Sequence, residues 1–415
     1  MDHTSLETNS SAFGTEPPTI LQIVPRLDTG GAELSAIEIT QALVQAGARA
    51  IVATEGGRLA GRISELGGEL LIMSAASKNP VRMAANAVHL AKIVKREGVC
   101  LLHARSRAPA WSARWAAQRC AIPFVTTYHG AYAENGAAKR LYNSVMARAD
   151  RVIANSQYTA DLIKQRYATP TERIRVIHRG VDPATFDPDA ISPERIAALR
   201  RAWTVAPNEV VILQPARLTA WKGQRVLIEA AGKLVRAGTL ASPIKVVLAG
   251  DDQGRTGYAN DLARLASGLG LGDRVHFAGH VTDMPAAFAA AHVAVVASIE
   301  PEAFGRTAAE SQAMQCPVIA TRLGAPPETV VDANRVGLEA ATGWLVPPGD
   351  PVALAGALTT ALSLDSTARQ ALGIRARGHV AARFTVRAMQ KSTLAVYDEL
   401  LHTSLSAAFS RADEK

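Results

Sequence analysis

The chain has few cysteines, and their positions argue against two kinds of site. Only Cys100, Cys120 and Cys316 occur in 415 residues, and none stands at the spacing of a metal-ligand pair. We interpret them as small buried apolar residues of a protein in a reducing compartment. The acid pair at Asp187 and Asp189 lies in a proline-rich stretch without a nearby histidine or cysteine cluster. We therefore predict no catalytic metal and no cofactor.

Long apolar runs are also missing. No stretch approaches the roughly 20 apolar residues of a membrane helix. Residues 1–18 are polar and carry acidic residues, unlike a secretory signal. We expect residues 1–18 to be a disordered tail and the protein to be cytoplasmic. A hydrophobic fraction of 48% with 20% charged residues is typical of a globular protein, and 415 residues exceed one ordinary core, so we expect two domains.

Positive charge is concentrated in one part of the chain. The formal net charge is +8, and residues 100–180 alone contain thirteen Lys and Arg against four Asp and Glu. Such a basic face could meet anionic lipid headgroups, a phosphorylated saccharide or nucleic acid. No nucleic-acid-binding motif is present, so we predict no nucleic-acid partner. Peripheral contact with the inner face of the cytoplasmic membrane is one interpretation that stays open.

From Thr19 onward, short β-rich runs alternate with amphipathic helical runs, a pattern that predicts parallel sheets with helices on both faces. We predict one doubly wound domain over residues 19–188, with strands at 20–25, 48–53, 70–73, 101–104, 124–128, 152–154 and 174–177. A proline-rich segment, 180–193, breaks the alternation. We predict a second domain over residues 189–385, with strands at 210–213, 245–249, 275–277, 293–296, 318–320 and 344–346. Residues 386–415 begin with an amphipathic helix that we expect to cross back to the first domain.

Candidate ligand-binding residues follow two strands of the first domain. Gly30 and Gly31 lie between the first strand and a helix, where paired glycines let the backbone approach a phosphate whose charge the helix start favours. The G-x-G-x-x-G fingerprint is absent, which counts against a nicotinamide enzyme. His129 follows the fifth strand and could donate to a sugar hydroxyl or take a proton. The structural alternatives are a tight turn at the two glycines and a capping or core histidine at position 129.

The second domain carries cations and carboxylates at its strand ends. Arg217 and Lys222 follow its first strand and could neutralise a diphosphate. Glu302 precedes the turn at Phe304 and Gly305, and Glu310 lies about one turn inside the helix that follows. A glycine turn between two carboxylates could hold a polyol beside a phosphate. Solvated surface charges are the alternative interpretation.

Together these residues resemble the family 4 retaining glycosyltransferases. The resemblance covers residues 20–401 and rests on Thr29-Gly-Gly-Ala-Glu33, Tyr-His129-Gly, Val-Ile-Ala-Asn-Ser156, the run ending at Val-Asp182, Arg217-Leu with Lys222-Gly223, and the E-x7-E pattern from Glu302 to Glu310. Two glycines often found in the family are replaced, by Ala216 and Ala325. Both replacements put the fit of the donor in doubt more than the activity.

The resemblance implies an α/β protein of the GT-B fold, with two doubly wound Rossmann-like domains facing across a cleft. It implies that Glu302 contacts the donor sugar, Glu310 the nucleotide ribose, and Arg217 with Lys222 the diphosphate. The expected donor-binding residues are Gly30, Gly31, Arg217, Lys222, Glu302, Phe304, Gly305, Arg306, Thr307 and Glu310, and the expected catalytic residues are His129, Glu302, Arg217 and Lys222. We expect acceptor contacts from Arg105, Arg107, Tyr128 and Lys139.

The implied reaction moves a hexose, with mannose or glucose as candidates, from a nucleotide diphosphate sugar to a lipid-linked or saccharide acceptor. Residues 105–111 further resemble bacterial enzymes of lipopolysaccharide core or other surface polysaccharide synthesis. Two other functions stay open: a nucleotide-sugar 2-epimerase of the same fold, and a non-catalytic subunit that binds a nucleotide sugar.

Overall fold

The computed structural model describes residues 17–412, except Thr29, Ala133, Asn135, Thr239 and Arg255. Most of the predicted disordered tail, residues 1–16, lies outside the described residues. The chain divides into two compact units. Unit 1 contains the residues up to 154, residues 162–177 and those from 389 onward, and unit 2 contains residues 155–161 and 178–388.

Unit 1 is built on a seven-stranded parallel sheet with the strand order β3-β2-β1-β4-β5-β6-β7. The strands are β1 (Thr19–Ile23), β2 (Arg49–Thr54), β3 (Glu69–Ile72), β4 (Val99–Ala104), β5 (Phe124–Tyr128), β6 (Arg151–Ala154) and β7 (Ile174–Val176). The helices along this part of the chain are α1 (Gly31–Gln45), α2 (Gly61–Glu65), α3 (Pro80–Arg96), α4 (Arg107–Cys120), α5 (Ala137–Ser144) and α6 (Gln157–Tyr167). Every residue of β1 is buried, as expected for a parallel strand covered on both faces.

Unit 2 contains a six-stranded parallel sheet with the order β10-β9-β8-β11-β12-β13. Its strands are β8 (Val210–Pro215), β9 (Ile244–Ala249), β10 (Val275–Gly279), β11 (Val293–Val296), β12 (Val318–Thr321) and β13 (Trp344–Val346). Its helices are α7 (Pro193–Ala202), α8 (Gln224–Ala237), α9 (Thr256–Gly268), α10 (Met284–Ala290), α11 (Arg306–Ala313), α12 (Pro326–Thr329), α13 (Ala333–Val336), α14 (Pro351–Leu362) and α15 (Ser366–Arg383). The chain ends with α16 (Val386–Leu401) and α17 (Leu405–Ala412).

The prediction of two α/β, Rossmann-like domains is confirmed. The described residues include a strand at each of the thirteen predicted positions, with ends that differ by two residues at most. The helix predicted over 137–147 is α-helical only to Ser144 and continues as a 3-10 turn, Val145–Ala147. The helix α17 was not predicted. Unit 2 takes in residues 178–188, which precede the predicted boundary, and Val181 there is buried and donates its N–H to the Phe384 carbonyl.

The structure shows how far the cysteines are buried and how long and apolar the helices are. Cys316 is buried as predicted, whereas Cys100 and Cys120 are each partly exposed. None of the helices within the described residues is both long enough and apolar enough to span a membrane.

A buried histidine joins the C-terminal helix to the sheet of unit 1. His103 lies on β4, where one ring nitrogen, Nδ1, is 2.6 Å from the Tyr397 hydroxyl and the other, Nε2, is 2.7 Å from the Thr127 hydroxyl. Tyr397 belongs to α16, and both side chains are fully buried. Burial, together with the charge of Arg105, holds the pKa of His103 well below its ordinary value. The imidazole is therefore neutral in the folded protein at pH 7.

This histidine predicts a stability that depends on pH. Its folded pKa is lowered, so below about pH 6.5 the unfolded chain binds a proton that the folded chain does not. The free energy of unfolding should therefore fall by up to about 1.4 kcal/mol for each pH unit below that point. We expect His103→Gln to make the slope shallower in urea unfolding between pH 5 and 7, whereas His89→Gln, at an exposed position on α3, should leave it unchanged. An equal slope in His103→Gln and the wild-type protein would contradict this assignment.

Candidate functional site

The loop after β8 brings Lys222 to the carboxyl edge of the sheet in unit 2. A 3-10 turn, Ala220–Lys222, ends at Gly223, which has a φ of +72°. A Cβ atom at Gly223 would lie 1.9 Å from the Ala297 carbonyl oxygen, so only glycine fits between this turn and the residues after β11. The Gln214 amide donates to the Lys222 carbonyl at 2.7 Å. The backbone of Lys222 is therefore fixed by the turn at Gly223 and by the Gln214 side chain.

Glu302 is fixed by a second close backbone contact. It forms a parallel bridge with Gly324, and its carbonyl accepts a hydrogen bond from the Ala325 N–H at 2.9 Å. Gly324 has a φ of +82°, and a Cβ atom there would lie 2.3 Å from the Glu302 carbonyl oxygen. This contact requires the glycine at position 324. Ala325, which stands where the family often has a glycine, is therefore compatible with it.

Lys222 and Glu302 meet in a cluster that also includes Ser298. The Lys222 ammonium and the Ser298 hydroxyl both donate to Oε1 of Glu302, each at 2.5 Å. The Glu302 side chain is 11% exposed and that of Lys222 is 19% exposed. Within the described residues, no hydrogen bond reaches Oε2 of Glu302. The ammonium also lies 4.1 Å from the centre of the Trp221 ring, a favourable cation-π geometry.

The helix α11 begins beside this cluster. Its N-cap is Gly305, with a φ of +80°, and the first turn presents backbone N–H groups that favour an anion. The Thr307 hydroxyl donates to the Pro215 carbonyl at 3.4 Å, which ties the first turn to the end of β8. Arg306 and Glu310 pair along the helix at 3.3 Å. Phe304 is buried in the core, where its ring lies 5.9 Å from that of Phe384.

Unit 2 thus combines a fixed cation, two carboxylates and a helix start at one sheet edge. An ammonium has three N–H donors, and one of them is used on Glu302, so Lys222 can still bind a phosphate oxygen. The Arg217 side chain is exposed, and among the described residues its guanidinium has no hydrogen bond or ion pair; its carbonyl accepts from Gln224 at 2.8 Å. Such an arrangement can bind a phosphorylated polyol. No group of three His, Cys, Asp or Glu side chains suited to a metal ion occurs in the part of the chain that the structure describes.

In unit 1, the two predicted glycines lie at the start of α1. Gly30 is the N-cap residue and Gly31 the first residue of the helix. The Glu33 carboxylate lies against Gly30, since a Cβ atom there would be 2.3 Å from Oε2 of Glu33. A carboxylate of the chain itself therefore lies at this helix start. His129 directly follows β5 and is half-buried.

The residues expected to contact an acceptor differ in exposure. Arg105 is buried and donates from Nε and Nη2 to the Gln22 side-chain oxygen, at 3.0 and 2.5 Å. Tyr128 is fully buried, and its ring lies 4.6 Å from that of Tyr132. Arg107 donates to Asn143 at 3.0 Å and lies over the Tyr132 ring, whereas Lys139 is exposed on α5. The structure thus places Arg105 and Tyr128 in the interior of unit 1.

Three structural features of the chain were not predicted as parts of a site. Ser298 belongs to the Lys222–Glu302 cluster, and its place just after a strand was the one available signal. Glu328 accepts from the N–H groups of Gln157 and Tyr158 and from His178, each at 2.8 Å. Burial would raise the pKa of Glu328, but these hydrogen bonds hold it below its ordinary value. Unit 1 also has a groove of about 460 Å³ that contains Arg140, Arg148 and Arg166.

Comparison with known proteins identifies the family. The sequence profile of Glycosyltransferase Family 4 matches residues 29–185, and that of Glycosyl transferases group 1 matches residues 196–379. A glycosyltransferase structure from Rickettsia africae ESF-5 is 33% identical, with a TM-score of 0.83 over 94% of this chain and 100% of the other. The chain belongs to the family 4 glycosyltransferases. The predicted GT-B fold is thereby confirmed.

Two further proteins show how the relatives of this glycosyltransferase vary. Anabaena Alr3699/HepE, solved in complex with UDP and glucose, is 26% identical, with a TM-score of 0.78 over 92% of this chain and 99% of the other. The D-inositol 3-phosphate glycosyltransferase of Salinispora tropica is 34% identical over 260 residues, which are 61% of this chain and 52% of that protein. The chain spans about half the length of the curated relatives it matches.

The close approach at Gly223 predicts a strong effect of one added methyl group. Gly223→Ala should displace the turn, because the Cβ atom would overlap the Ala297 carbonyl. Gly238→Ala is a matched control, because Gly238 also has a positive φ but has no atom within 4 Å of the new Cβ. We expect the control to cost about 1 kcal/mol and Gly223→Ala to cost several times more, measured by chemical unfolding. Equal losses in the two variants would contradict the proposed constraint.

Proposed function

We propose that this glycosyltransferase transfers a hexose from a nucleoside diphosphate sugar, with a uridine nucleotide as the first candidate, to a saccharide or lipid-linked acceptor. The observation that carries the proposal is the cluster of Lys222, Ser298 and Glu302 beside the start of α11. This arrangement offers a cation and backbone N–H groups to a diphosphate and a carboxylate oxygen to a sugar hydroxyl. The presence of UDP and glucose in the related Anabaena structure favours a uridine donor.

The proposed chemistry follows from where charge develops. The bond between the anomeric carbon and the diphosphate oxygen breaks, a bond to the acceptor oxygen forms, and the acceptor proton passes to the departing diphosphate. Negative charge grows on the diphosphate in the transition state, so Lys222, Arg217 and the first N–H groups of α11 would lower the barrier. These groups supply positive charge from the protein itself, and we propose a metal-independent reaction that retains the anomeric configuration.

Two carboxylates take separate roles in this proposal. Oε2 of Glu302 would accept from a hydroxyl of the transferred sugar, since Oε1 already receives two hydrogen bonds. Glu310, about one turn inside α11, would accept from the ribose hydroxyls. Gly30, Gly31 and His129 of unit 1 stay proposed contacts of the donor, and Arg107 and Lys139 stay proposed contacts of the acceptor. Arg105 and Tyr128 would act by supporting the fold around them, because both are buried.

The acceptor has two candidates. The curated relatives are named for D-inositol 3-phosphate, which makes a phosphorylated cyclitol the first compound to test. A lipid-linked glycan, such as the lipopolysaccharide core, is the second, supported by the resemblance of residues 105–111 to surface polysaccharide enzymes. A nucleotide-sugar 2-epimerase or a non-catalytic subunit would need no acceptor.

The two carboxylates give the sharpest test of the donor site. Glu310→Gln should weaken UDP binding by about tenfold, since a ribose hydroxyl would lose a charged acceptor, and Glu302→Ala should leave UDP binding unchanged but lower turnover. Glu339→Gln makes the same change in charge at an exposed position and should have no effect. Calorimetry with UDP and release of UDP from UDP-glucose measure the two effects. If both variants behave as wild type does, the donor lies elsewhere.

Product analysis distinguishes the candidate functions. The protein is incubated with labelled UDP-glucose and either D-inositol 3-phosphate or a membrane extract. Label that enters the cyclitol or the extracted glycan supports transfer and identifies the acceptor class. An altered free sugar nucleotide supports epimerisation, and binding without turnover supports a subunit without catalytic activity; either result would contradict the proposed transfer.

Peripheral membrane contact is proposed for unit 1. Its support is the groove with Arg140, Arg148 and Arg166 and the neighbouring Leu141, whose side chain is 57% exposed. Cations around an exposed apolar side chain fit an anionic bilayer surface. We expect the protein to sediment with vesicles that contain phosphatidylglycerol and not with neutral phosphatidylcholine vesicles, in low salt. Equal sedimentation with both kinds of vesicle would contradict an electrostatic contact.

A further inference from the structure

Ser298 occupies a position that no catalytic motif of the sequence marks. It lies two residues beyond β11 and is fully buried. Its hydroxyl donates to Oε1 of Glu302 at 2.5 Å, and its carbonyl accepts from the Thr321 hydroxyl at 2.9 Å. Thr321 ends β12, so Ser298 is attached to the sheet through its backbone and to Glu302 through its side chain.

A bound ligand would affect the two hydrogen bonds to Oε1 of Glu302, from Lys222 and from Ser298, in different ways. Lys222 has a partly exposed ammonium that, under the proposed function, binds the diphosphate. A phosphate oxygen that binds another N–H of the ammonium would compete with Glu302 for the position of Lys222. The Ser298 hydroxyl is buried and faces no such competition, so it keeps Oε1 occupied through the reaction.

We propose that Ser298 is a positioning residue, which holds the Glu302 carboxylate in the orientation that presents Oε2 to the donor sugar. The inference rests on the proposed function, because it assigns Oε2 to a sugar hydroxyl. A carboxylate with one oxygen held by a buried hydroxyl donor cannot rotate about its last bond without breaking that hydrogen bond. Within the described residues Oε2 receives no hydrogen bond, so the fixed oxygen and the available oxygen are distinct. Without Ser298, the Lys222 contact alone would allow either oxygen to face the ligand.

The test compares UDP with UDP-glucose, because only the second carries the sugar. In Ser298→Ala, the dissociation constant for UDP should stay within about twofold of wild type. That for UDP-glucose should rise, and the kcat for UDP release should fall, by about tenfold, the size expected for one hydrogen bond to a charged group. Glu302→Ala should show the same split between the two ligands. Adding Ser298→Ala to Glu302→Ala should change nothing further, since Ser298 acts only through that carboxylate.

Ser311→Ala is the matched control. Ser311 is also fully buried, lies on α11, and donates its hydroxyl to the Ala308 carbonyl at 3.1 Å. The control removes the same atom from the same unit but leaves Glu302 untouched, so the ratio of UDP to UDP-glucose affinity should stay at the wild-type value.

Three results would overturn the inference. The first is a Ser298→Ala protein that matches wild type in both affinities and in kcat. The second is an equal loss of UDP and UDP-glucose binding, which indicates a general structural role. The third is a further loss when Ser298→Ala is added to Glu302→Ala. Each of them leaves the proposed function intact if wild type binds UDP, whereas a wild-type protein that binds neither ligand would contradict the proposed function as well.

Discussion

The candidate site of unit 2 depends on a contact between two pieces of backbone. The turn at Gly223 lies against the carbonyl of Ala297, at a distance that no side chain would allow. This contact brings the loop after β8 next to the segment after β11, two strands that are neighbours in the sheet. Lys222 precedes the glycine and Ser298 follows the carbonyl, so one close approach places both donors around Glu302. Glu302 is in turn fixed by Gly324, which makes the cluster a consequence of two glycine positions.

In unit 1, several polar side chains form hydrogen bonds inside the fold. His103 connects β4 to α16 and β5, and the neighbouring Arg105 is bound to Gln22 in the interior. A buried guanidinium is expensive, and burial lowers the pKa of Arg105. Each of these groups has a hydrogen-bond partner inside the unit. The bonds join neighbouring strands of the sheet, and the bond of His103 to Tyr397 also joins the sheet to α16. Exposed cations of the unit include Lys139 and Arg140 on α5, beside the groove that also contains Arg166.

The sequence predicted the strands well because most of them are buried on both faces and form continuous apolar runs, which can be recognised without knowledge of their partners. The relation between Glu302 and Glu310 could also be predicted from the sequence, since both residues lie in one continuous segment that consists of a loop and a helix. The Lys222–Glu302 bond joins residues 80 positions apart, and the His103–Tyr397 bond joins residues 294 positions apart; neither follows from local pattern. Arg105 was predicted to contact an acceptor because it is a cation at the end of a strand. It is buried instead, because Gln22 on another strand accepts its hydrogen bonds, and this partner cannot be recognised from the local sequence.

The ion pairs at the site also determine its electrostatic character. Lys222 neutralises Glu302, and Arg306 neutralises Glu310, so neither carboxylate leaves a net negative charge at the helix start. Arg217 in the adjacent loop has no such partner among the described residues. Within the part of the chain that the structure describes, Arg217 is therefore the cation of this group whose charge is not offset by a bonded carboxylate, although the exposed Glu300 also lies in the loop that carries Glu302. Under the proposed function, the charge of Arg217 would attract a doubly charged phosphate group more strongly than a neutral sugar, so discrimination between an activated sugar and a free one would begin before any hydroxyl is recognised.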